Sequence, residues 1–169
     1  MRRNKNARNN KKTLVARHKK LAFYGVINSS GTENFLRMPK FTQLSQSKNP
    51  IEHNRHYVEE PFQEMDIIGC SPSISYAFDY HRNCEVQKDI VNITDNEFIA
   101  DDSFRNIVIV DIDEGTAIKR AYAVIPSTEG DNINVYTYSG TFKCKGEKIL
   151  GTATSSDGWN TITFTESTD

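Results

Sequence analysis

The chain has 169 residues, of which 37% are hydrophobic and 25% are charged, with 21 Lys and Arg against 22 Asp and Glu. This length suits one domain with a core of its own, and no apolar run approaches the roughly 18 residues that a membrane span requires. An N-terminal secretory signal is also not expected, because the first 20 residues have no apolar core.

The sequence contains no recognisable catalytic or metal-binding pattern. Cys70, Cys84 and Cys144 are odd in number and lack C-x-x-C spacing, which predicts free thiols in a reducing cytoplasm. His53 and His56 would point to opposite faces of a strand and so cannot share a metal ion without a bulge. No nucleotide-binding or nucleophile motif occurs. We therefore predict a protein that is not an enzyme and that has no cofactor and no metal.

Basic residues are concentrated at the N-terminus. Residues 1–20 hold nine of them and no acid, whereas residues 21–169 hold the other twelve and all 22 acids, a formal charge of −10. We therefore divide the chain into an extended basic arm, 1–20, and a folded domain, 21–169. The arm could bind nucleic-acid phosphates or dock on the acidic body of a neighbouring copy, and the lack of aromatic residues before Phe23 favours docking. Its candidate contact residues are Arg2, Arg3, Lys5, Arg8, Lys11 and Lys12.

The first third of the chain reads as strands with polar faces. Leu21 to Ile27 predicts a first strand, and Glu33 to Pro39 is expected to be irregular. Phe41 to Lys48 and Ile51 to Val58 are predicted to be two strands, with Asn49-Pro50 as the hairpin bend between them.

Two segments with opposite patterns follow. Ser73 to Tyr80 alternates strictly, with Ile74, Tyr76 and Phe78 on one face, which predicts a half-buried strand. Glu59 to Gly69 mixes acids with large apolar residues and fits neither period, so we predict a long loop that joins one copy of the chain to the next. The candidate interface residues are Glu59, Glu60, Phe62, Met65, Ile67 and Ile68.

The next segments predict one helix and one buried strand. Val86, Ile90 and Ile93 recur at helical spacing, which predicts a helix of about three turns, capped by Asn83, that packs one face on a sheet. The apolar, β-branched run from Phe104 to Ile112 predicts a strand that is buried on both faces.

The C-terminal part predicts an antiparallel meander. Ile118 to Pro126 and Ile133 to Lys143 alternate, Gly146 and Gly151 are expected to mark a hairpin, and Asp157-Gly158 should turn the chain into a last strand, Trp159 to Phe164. With eight or nine strands and one helix, the fold class is mainly β: a small antiparallel β-sandwich or partial barrel with one flanking α-helix.

Seven stretches between residues 41 and 154 are distinctive as a set: Phe41–Pro50, Arg55–Glu60, Gly69–Tyr76, Val124–Pro126, Tyr136–Phe142, Gly146–Lys148 and Gly151–Thr154. Together they resemble the major tail protein, or tail-tube protein, of Firmicutes siphophages. The likeness covers most of residues 21–165, and the long basic N-terminus is a departure from the family.

The resemblance implies a tail-tube protomer that forms hexameric rings, which stack into the conduit for DNA ejection. The implied partners are further copies of the chain, the tape measure protein inside the tube, the tail terminator, and phage DNA that passes without specific binding; no membrane is involved. The implied location is the virion tail, after synthesis in the host bacterial cytoplasm. An acidic lumen would repel DNA phosphates and let the genome slide.

Two other functions stay open on the sequence. One is a nucleic-acid-binding module that uses the basic arm. The other is a head–tail connector or tail terminator, which shares the ring-forming fold but caps the tube.

Overall fold

The computed structural model describes residues 12–168, which form ten antiparallel strands and one helix. The strands are β1 (Lys20–Ile27), β2 (Glu33–Arg37), β3 (Phe41–Ser47), β4 (Pro50–Arg55), β5 (Glu64–Cys70), β6 (Ser73–Asp79), β7 (Phe104–Asp111), β8 (Thr116–Glu129), β9 (Thr137–Thr154) and β10 (Thr161–Glu166); helix α1 (Glu85–Asp95) connects β6 to β7. No helix in this part of the chain reaches the length and apolar character needed to cross a bilayer.

Six of the strands close into a small barrel. They follow one another in the order β10, β2, β1, β7, β8 and β9, and β10 also pairs with the end of β9, which completes the circle. Each of these strands supplies a side chain to one apolar cluster, which is therefore the interior of the barrel: Phe23, Phe35, Val108, Val110, Ala117, Ala153 and Ile162.

A second core lies on the opposite face of β1, β7 and β8. The first half of β9 pairs with β6, and β6 pairs with β3, so the sheet extends beyond the barrel. This extension and α1 cover a larger cluster that includes Tyr24, Ile74, Tyr76, Phe78, Ile90, Ile107, Tyr122, Val124 and Phe142. The fold class is the predicted one: mainly β, antiparallel, with one flanking helix.

Helix α1 packs on the sheet as its periodicity predicted. Val86, Ile90 and Ile93 are each 2% exposed or less. The N-cap is Cys84, not Asn83, and it makes no side-chain capping bond.

Two polar residues of α1 fasten it to the rest of the domain. Gln87 is fully buried; it donates to the Pro39 carbonyl at 3.3 Å and accepts from the His81 amide at 2.6 Å. Asp89 accepts hydrogen bonds from Tyr24 Oη at 2.6 Å and from Arg105 Nε at 2.8 Å. The helix is thus tied by polar contacts to β1 and β7 in addition to its apolar face.

The Asp89 contacts also shift the protonation of both partners. Burial, and then the adjacent Asp89 carboxylate, raises the pKa of Tyr24 well above its ordinary value. For Arg105, burial acts to lower the pKa, but the hydrogen bonds and charge of Asp89 outweigh burial and the pKa is raised. Arg105 therefore stays charged beside its carboxylate.

The strands predicted at β6 and β7 are confirmed, whereas a segment predicted to be irregular is in fact a strand. β6 and β7 occupy the predicted segments, and β6 alternates between half-buried and buried residues along its whole length. Glu33 to Pro39, which we expected to be irregular, instead contains β2, which pairs with β1 and with β10. The pairing with β1 is a short hairpin, whereas β10 is more than 120 residues further along the chain, so local pattern gave no sign of that second pairing.

The expected hairpin at Gly146 and Gly151 is also wrong, because β9 continues through both positions to Thr154. Gly146 has φ +76° beside an irregular stretch of the β8–β9 register. At Gly151 a Cβ atom would lie 2.2 Å from the Thr165 carbonyl oxygen, so the glycine permits a close approach of β10 and is not a turn. Ile118 is 43% exposed, whereas Tyr122 and Val124 on the same face of β8 are buried.

The last turn is confirmed and is organised by Asp157. This carboxylate accepts hydrogen bonds from the Thr161 amide and hydroxyl and from the Ser155 hydroxyl. Those bonds lower the pKa of Asp157 to about 2. Gly158 and Trp159 follow with φ of +71° and +65°.

Candidate subunit interface

The β4–β5 hairpin continues the β3–β6 strand pair away from the domain. Asn49 and Pro50 are not the predicted hairpin bend, because β3 and β4 do not pair with each other. Asn49 instead kinks one ribbon at φ +43°, and its side chain donates to the Ser71 carbonyl at 3.1 Å and to the Ser73 hydroxyl at 3.0 Å. These bonds hold the base of the hairpin against the strand that carries it.

The hairpin pairs only with itself within the described chain. β4 and β5 form a separate two-stranded sheet, and every residue of β4 is exposed. At about 3.3 Å per residue, its six-residue arm extends by about 20 Å. An isolated two-stranded hairpin is only marginally stable in water. Contact with a further surface would therefore stabilise this element.

Glu59 to Gly69 is only partly the predicted loop. The turn occupies residues 56–63, and the rest of the segment belongs to β5. The sequence of β5 shows no regular alternation because Ile68 is an extra residue in the strand. This bulge shifts the pairing register between Ile67 and Gly69.

The register places the predicted residues on distinct parts of the hairpin. Directly paired residues share a face, so Met65 and Ile67 lie on the same face as Asn54 and Glu52. The other face carries a set of charged and polar residues: His53, Arg55, Glu64 and Asp66. The hairpin therefore has one face with two large apolar side chains and one mostly charged face, which also carries the exposed Ile51 at its base.

The tip presents apolar side chains beside acids. Phe62 is 79% exposed, and Glu59 and Glu60 are exposed next to it. Val58, which we predicted to be in a strand, is fully exposed at the tip, and Tyr57 is 44% exposed. Val58 and Tyr57 were not among the predicted interface residues, because an apolar residue at the end of a predicted strand is expected to be buried.

All six predicted interface residues are exposed, and the hairpin brings them onto one projecting element. Met65, Ile67 and Ile68 are 55%, 63% and 66% exposed. The folded chain therefore leaves a group of large apolar side chains in water, which is the usual mark of an interaction surface.

Most predicted contact residues of the basic arm, Arg2, Arg3, Lys5, Arg8 and Lys11, lie outside the described residues; Lys12 is described and exposed. The end of the arm contacts the chain's own domain. Lys19 Nζ lies 2.9 Å from Asp113 Oδ1, and Lys20 Nζ lies 3.8 Å from Asp111 Oδ2.

The described residues include no group of three or more His, Cys, Asp or Glu side chains placed to hold a metal ion. His56 Nε2 lies 2.9 Å from the Glu60 carbonyl oxygen, a contact within the hairpin tip. The three cysteines are free thiols.

No protein-family model and no curated protein matches the chain. Solved structures do. A chain in the tail of an empty gene transfer agent particle, solved with C6 symmetry, superposes with a TM-score of 0.59 at 13% identity, covering 80% of this chain and 97% of that one. The likeness is one of fold.

Two further solved structures have a similar fold. A chain of the virion of a native gene transfer agent particle gives a TM-score of 0.57 at 13% identity, over 81% of this chain and 98% of that one. A chain of the anti-feeding prophage baseplate, 6-fold symmetrised, gives 0.51 at 14% identity, over 83% and 97%. The fold is thus that of chains from tail, virion and baseplate assemblies, and none of the three is described as an enzyme.

Proposed function

We propose that this protein is a structural virion protein whose copies form six-fold rings that stack into a tail tube. One observation carries the proposal: the folded domain projects a hairpin that, within residues 12–168, pairs only with itself and exposes large apolar side chains. The fold shared with a chain from a six-fold symmetric tail supports it. The narrower assignment, to the tail-tube family of Firmicutes siphophages, rests on the sequence resemblance.

The hairpin is the joint between copies in this proposal. Phe62, Met65 and Ile67 would lose their exposure to water against a neighbour, and each fully buried side chain of this size contributes about 1.5–3 kcal/mol. Glu59 and Glu60 keep the free monomer soluble until it assembles.

Lateral contacts within a ring can use the outer edge of β3. In the described chain β3 has no strand partner other than β6, although its Leu44 carbonyl accepts a hydrogen bond from Arg17. Such an edge is a template for another strand, and closure of a ring removes it.

The charge of the body suits a conduit for DNA. Residues 21–169 have 22 acids against twelve Lys and Arg, and six copies multiply that excess. An acidic lumen repels phosphates, so DNA and a tape measure protein would pass through a tube that binds DNA weakly.

A cap on such a tube is the second candidate, and the likeness to a baseplate chain is the observation that favours it. A ring-forming connector or terminator would stop at single rings. The nucleic-acid-binding alternative is less favoured, because Lys19 and Lys20 of the arm already contact carboxylates of their own domain. A shift of DNA by the purified protein at low salt would support that alternative.

Electron microscopy of concentrated protein tests these functions directly. Long hollow tubes support the tube subunit, single rings support the cap, and monomers alone contradict both.

A hairpin variant sharpens this test. Phe62→Ser with Ile67→Ser should leave a folded monomer with an unchanged melting temperature that no longer polymerises. Ile99→Ser with Ile133→Ser is the matched control, since these residues are also exposed, at 79% and 98%, but lie outside the hairpin. Normal tubes from the hairpin variant, or unfolding of its monomer, would show that the hairpin is not the joint.

A further inference from the structure

A cleft elsewhere on the molecule has the opposite charge to the hairpin tip. It lies where the start of β1, the β2–β3 connection and the free edge of β3 meet, and its volume is about 830 Å3. Arg17, Arg37 and Lys40 line it and are exposed. The rest of the lining is mixed, with the apolar Met38, Phe41 and Leu44 beside a few polar side chains. The surface thus combines positive charge with some apolar area.

Within the described residues, no ion pair neutralises the positive charge of this cleft. None of the ion pairs formed within residues 12–168 involves Arg17, Arg37 or Lys40. Arg17 donates to the backbone carbonyls of Lys20, at 2.6 Å, and Leu44, at 3.1 Å, so its guanidinium bridges β1 and β3. Lys40 has φ +59°, a conformation that non-glycine residues seldom adopt. As far as residues 12–168 go, the cations of the cleft therefore have no acidic partner.

We propose that this cleft receives the β4–β5 hairpin tip of a second copy of the chain. The hairpin carries the complementary chemistry: Glu59, Glu60, Glu64 and Asp66 make no ion pair within the described residues, and Phe62 is exposed among them. Phe62 would pack on the apolar part of the lining while the acids meet the cations of the cleft, so apolar contact and charge pairing would act together, as they do in many protein interfaces. The proposal rests on the proposed function of the hairpin as the joint between copies.

The position of the two surfaces makes the contact intermolecular. The cleft lies along the first half of β3, from Phe41 to Leu44, and the hairpin begins beyond the other end of this strand, Ser47. The hairpin of the same chain stays exposed and does not fill its own cleft. A contact between unlike surfaces of identical chains is heterologous, and such contacts build rings or filaments, not closed pairs.

Two complementary variants test the docking without requiring tubes. The cleft variant, Arg37→Glu with Lys40→Glu, keeps an intact hairpin but has lost its receptor. The hairpin variant, Phe62→Ser with Ile67→Ser, keeps an intact cleft but has lost its ligand. Each alone should fail to join copies through this contact. When the two variants are mixed, they should form a 1:1 complex that neither variant forms alone. Sedimentation velocity measures this complex, and its affinity should fall as the salt concentration is raised.

The control concerns the position of the charges. Adding Arg37→Glu and Lys40→Glu to the hairpin variant should raise the dissociation constant of the mixture by about tenfold or more. Adding Lys143→Glu and Lys148→Glu instead makes the same change in net charge at exposed residues outside the cleft, and should have much less effect. An equal loss from both pairs would overturn the proposal, since it would reflect net charge alone.

The two proposals fail in different ways. If the wild-type protein builds tubes but the mixture of the two variants forms no complex, the docking is overturned and the proposed function stays intact. A wild-type protein that forms neither rings nor tubes contradicts the proposed function, and the mixture of variants then decides the docking separately.

Discussion

Ile90 on α1 is completely buried, whereas Ile67 on β5 keeps 63% of its surface exposed, although the two side chains are identical. Ile90 lies in a cluster to which a helix and five strands contribute. Ile67 lies on a hairpin whose strands, in the part of the chain that the structure describes, pair only with each other. The domain core and the hairpin therefore use the same kind of residue for different purposes.

The difference shows where each apolar residue gains its stabilising free energy. Burial of Ile90 is part of folding and stabilises the single chain. Residues 12–168 leave Ile67 exposed, so its burial against a second copy would stabilise an assembly and not the folded domain. Mutations in the two regions should accordingly separate folding from assembly.

The largest expected effect is at Ile90. Ile90→Ala removes buried methyl and methylene groups and should lower the free energy of unfolding by about 2–5 kcal/mol. Ile67→Ala should change it by less than about 0.5 kcal/mol, because the side chain is exposed in the monomer. Chemical denaturation of both variants checks the pair; equal losses would mean that the hairpin belongs to the folding core.

A smaller loss of unfolding free energy is expected at the ion pair between Asp89 of α1 and Arg105 of β7. Asp89→Ala removes the carboxylate of Arg105, whose side chain is 11% exposed, and should cost about 3 kcal/mol. Asp113→Ala breaks the exposed pair with Lys19 and should cost about 0–1 kcal/mol. If the two variants unfold at the same denaturant concentration, the Asp89 network does not hold the helix to the sheet.

A third effect depends on pH. The folded pKa of Asp157, about 2, is below its ordinary value of 3.8, so its contribution to stability is present above pH 3.8 and is lost as the pH falls towards 2. Asp157→Asn should therefore lower the melting temperature at pH 5 to 7, and the difference from wild type should shrink to nothing near pH 2. A difference that stays constant over this range would show that the carboxylate charge does not hold the turn.

The smallest effect on the monomer is expected from the N-terminus. Deletion of residues 1–11 leaves Arg17, Lys19 and Lys20 in place, so the melting temperature should not change. If the arm bridges copies electrostatically, tubes of the truncated protein should be shorter or more sensitive to salt. Unchanged tube length and salt tolerance would show that the arm has no role in assembly.

The sequence was most informative where a segment is stabilised by its own periodicity. The alternation of Ser73 to Tyr80 and the helical spacing of Val86, Ile90 and Ile93 predicted β6 and α1, since each buries a single face. The exposure of Phe62 and Ile67 was also predictable, because neither fitted a period that would bury it.

It was least informative where a distant strand decides the conformation. Gly151 reads as a turn, but it lies inside β9 because β10 approaches closely there. Asn49-Pro50 reads as a hairpin bend, but pairing of the flanking strands with β6 and β5 turns it into a kink. The cleft was not predictable at all, since Arg17, Arg37 and Lys40 come together only in the folded chain.

The placement of the hairpin and the cleft at opposite ends of β3 has a consequence for any filament joined by them. Head-to-tail addition gives every subunit the same direction, so the two ends of the filament are chemically different. One end would display acidic, apolar hairpins and the other would display empty cationic clefts. Growth at the two ends would then proceed at different rates, and a protein that stops elongation at one end could not recognise the other.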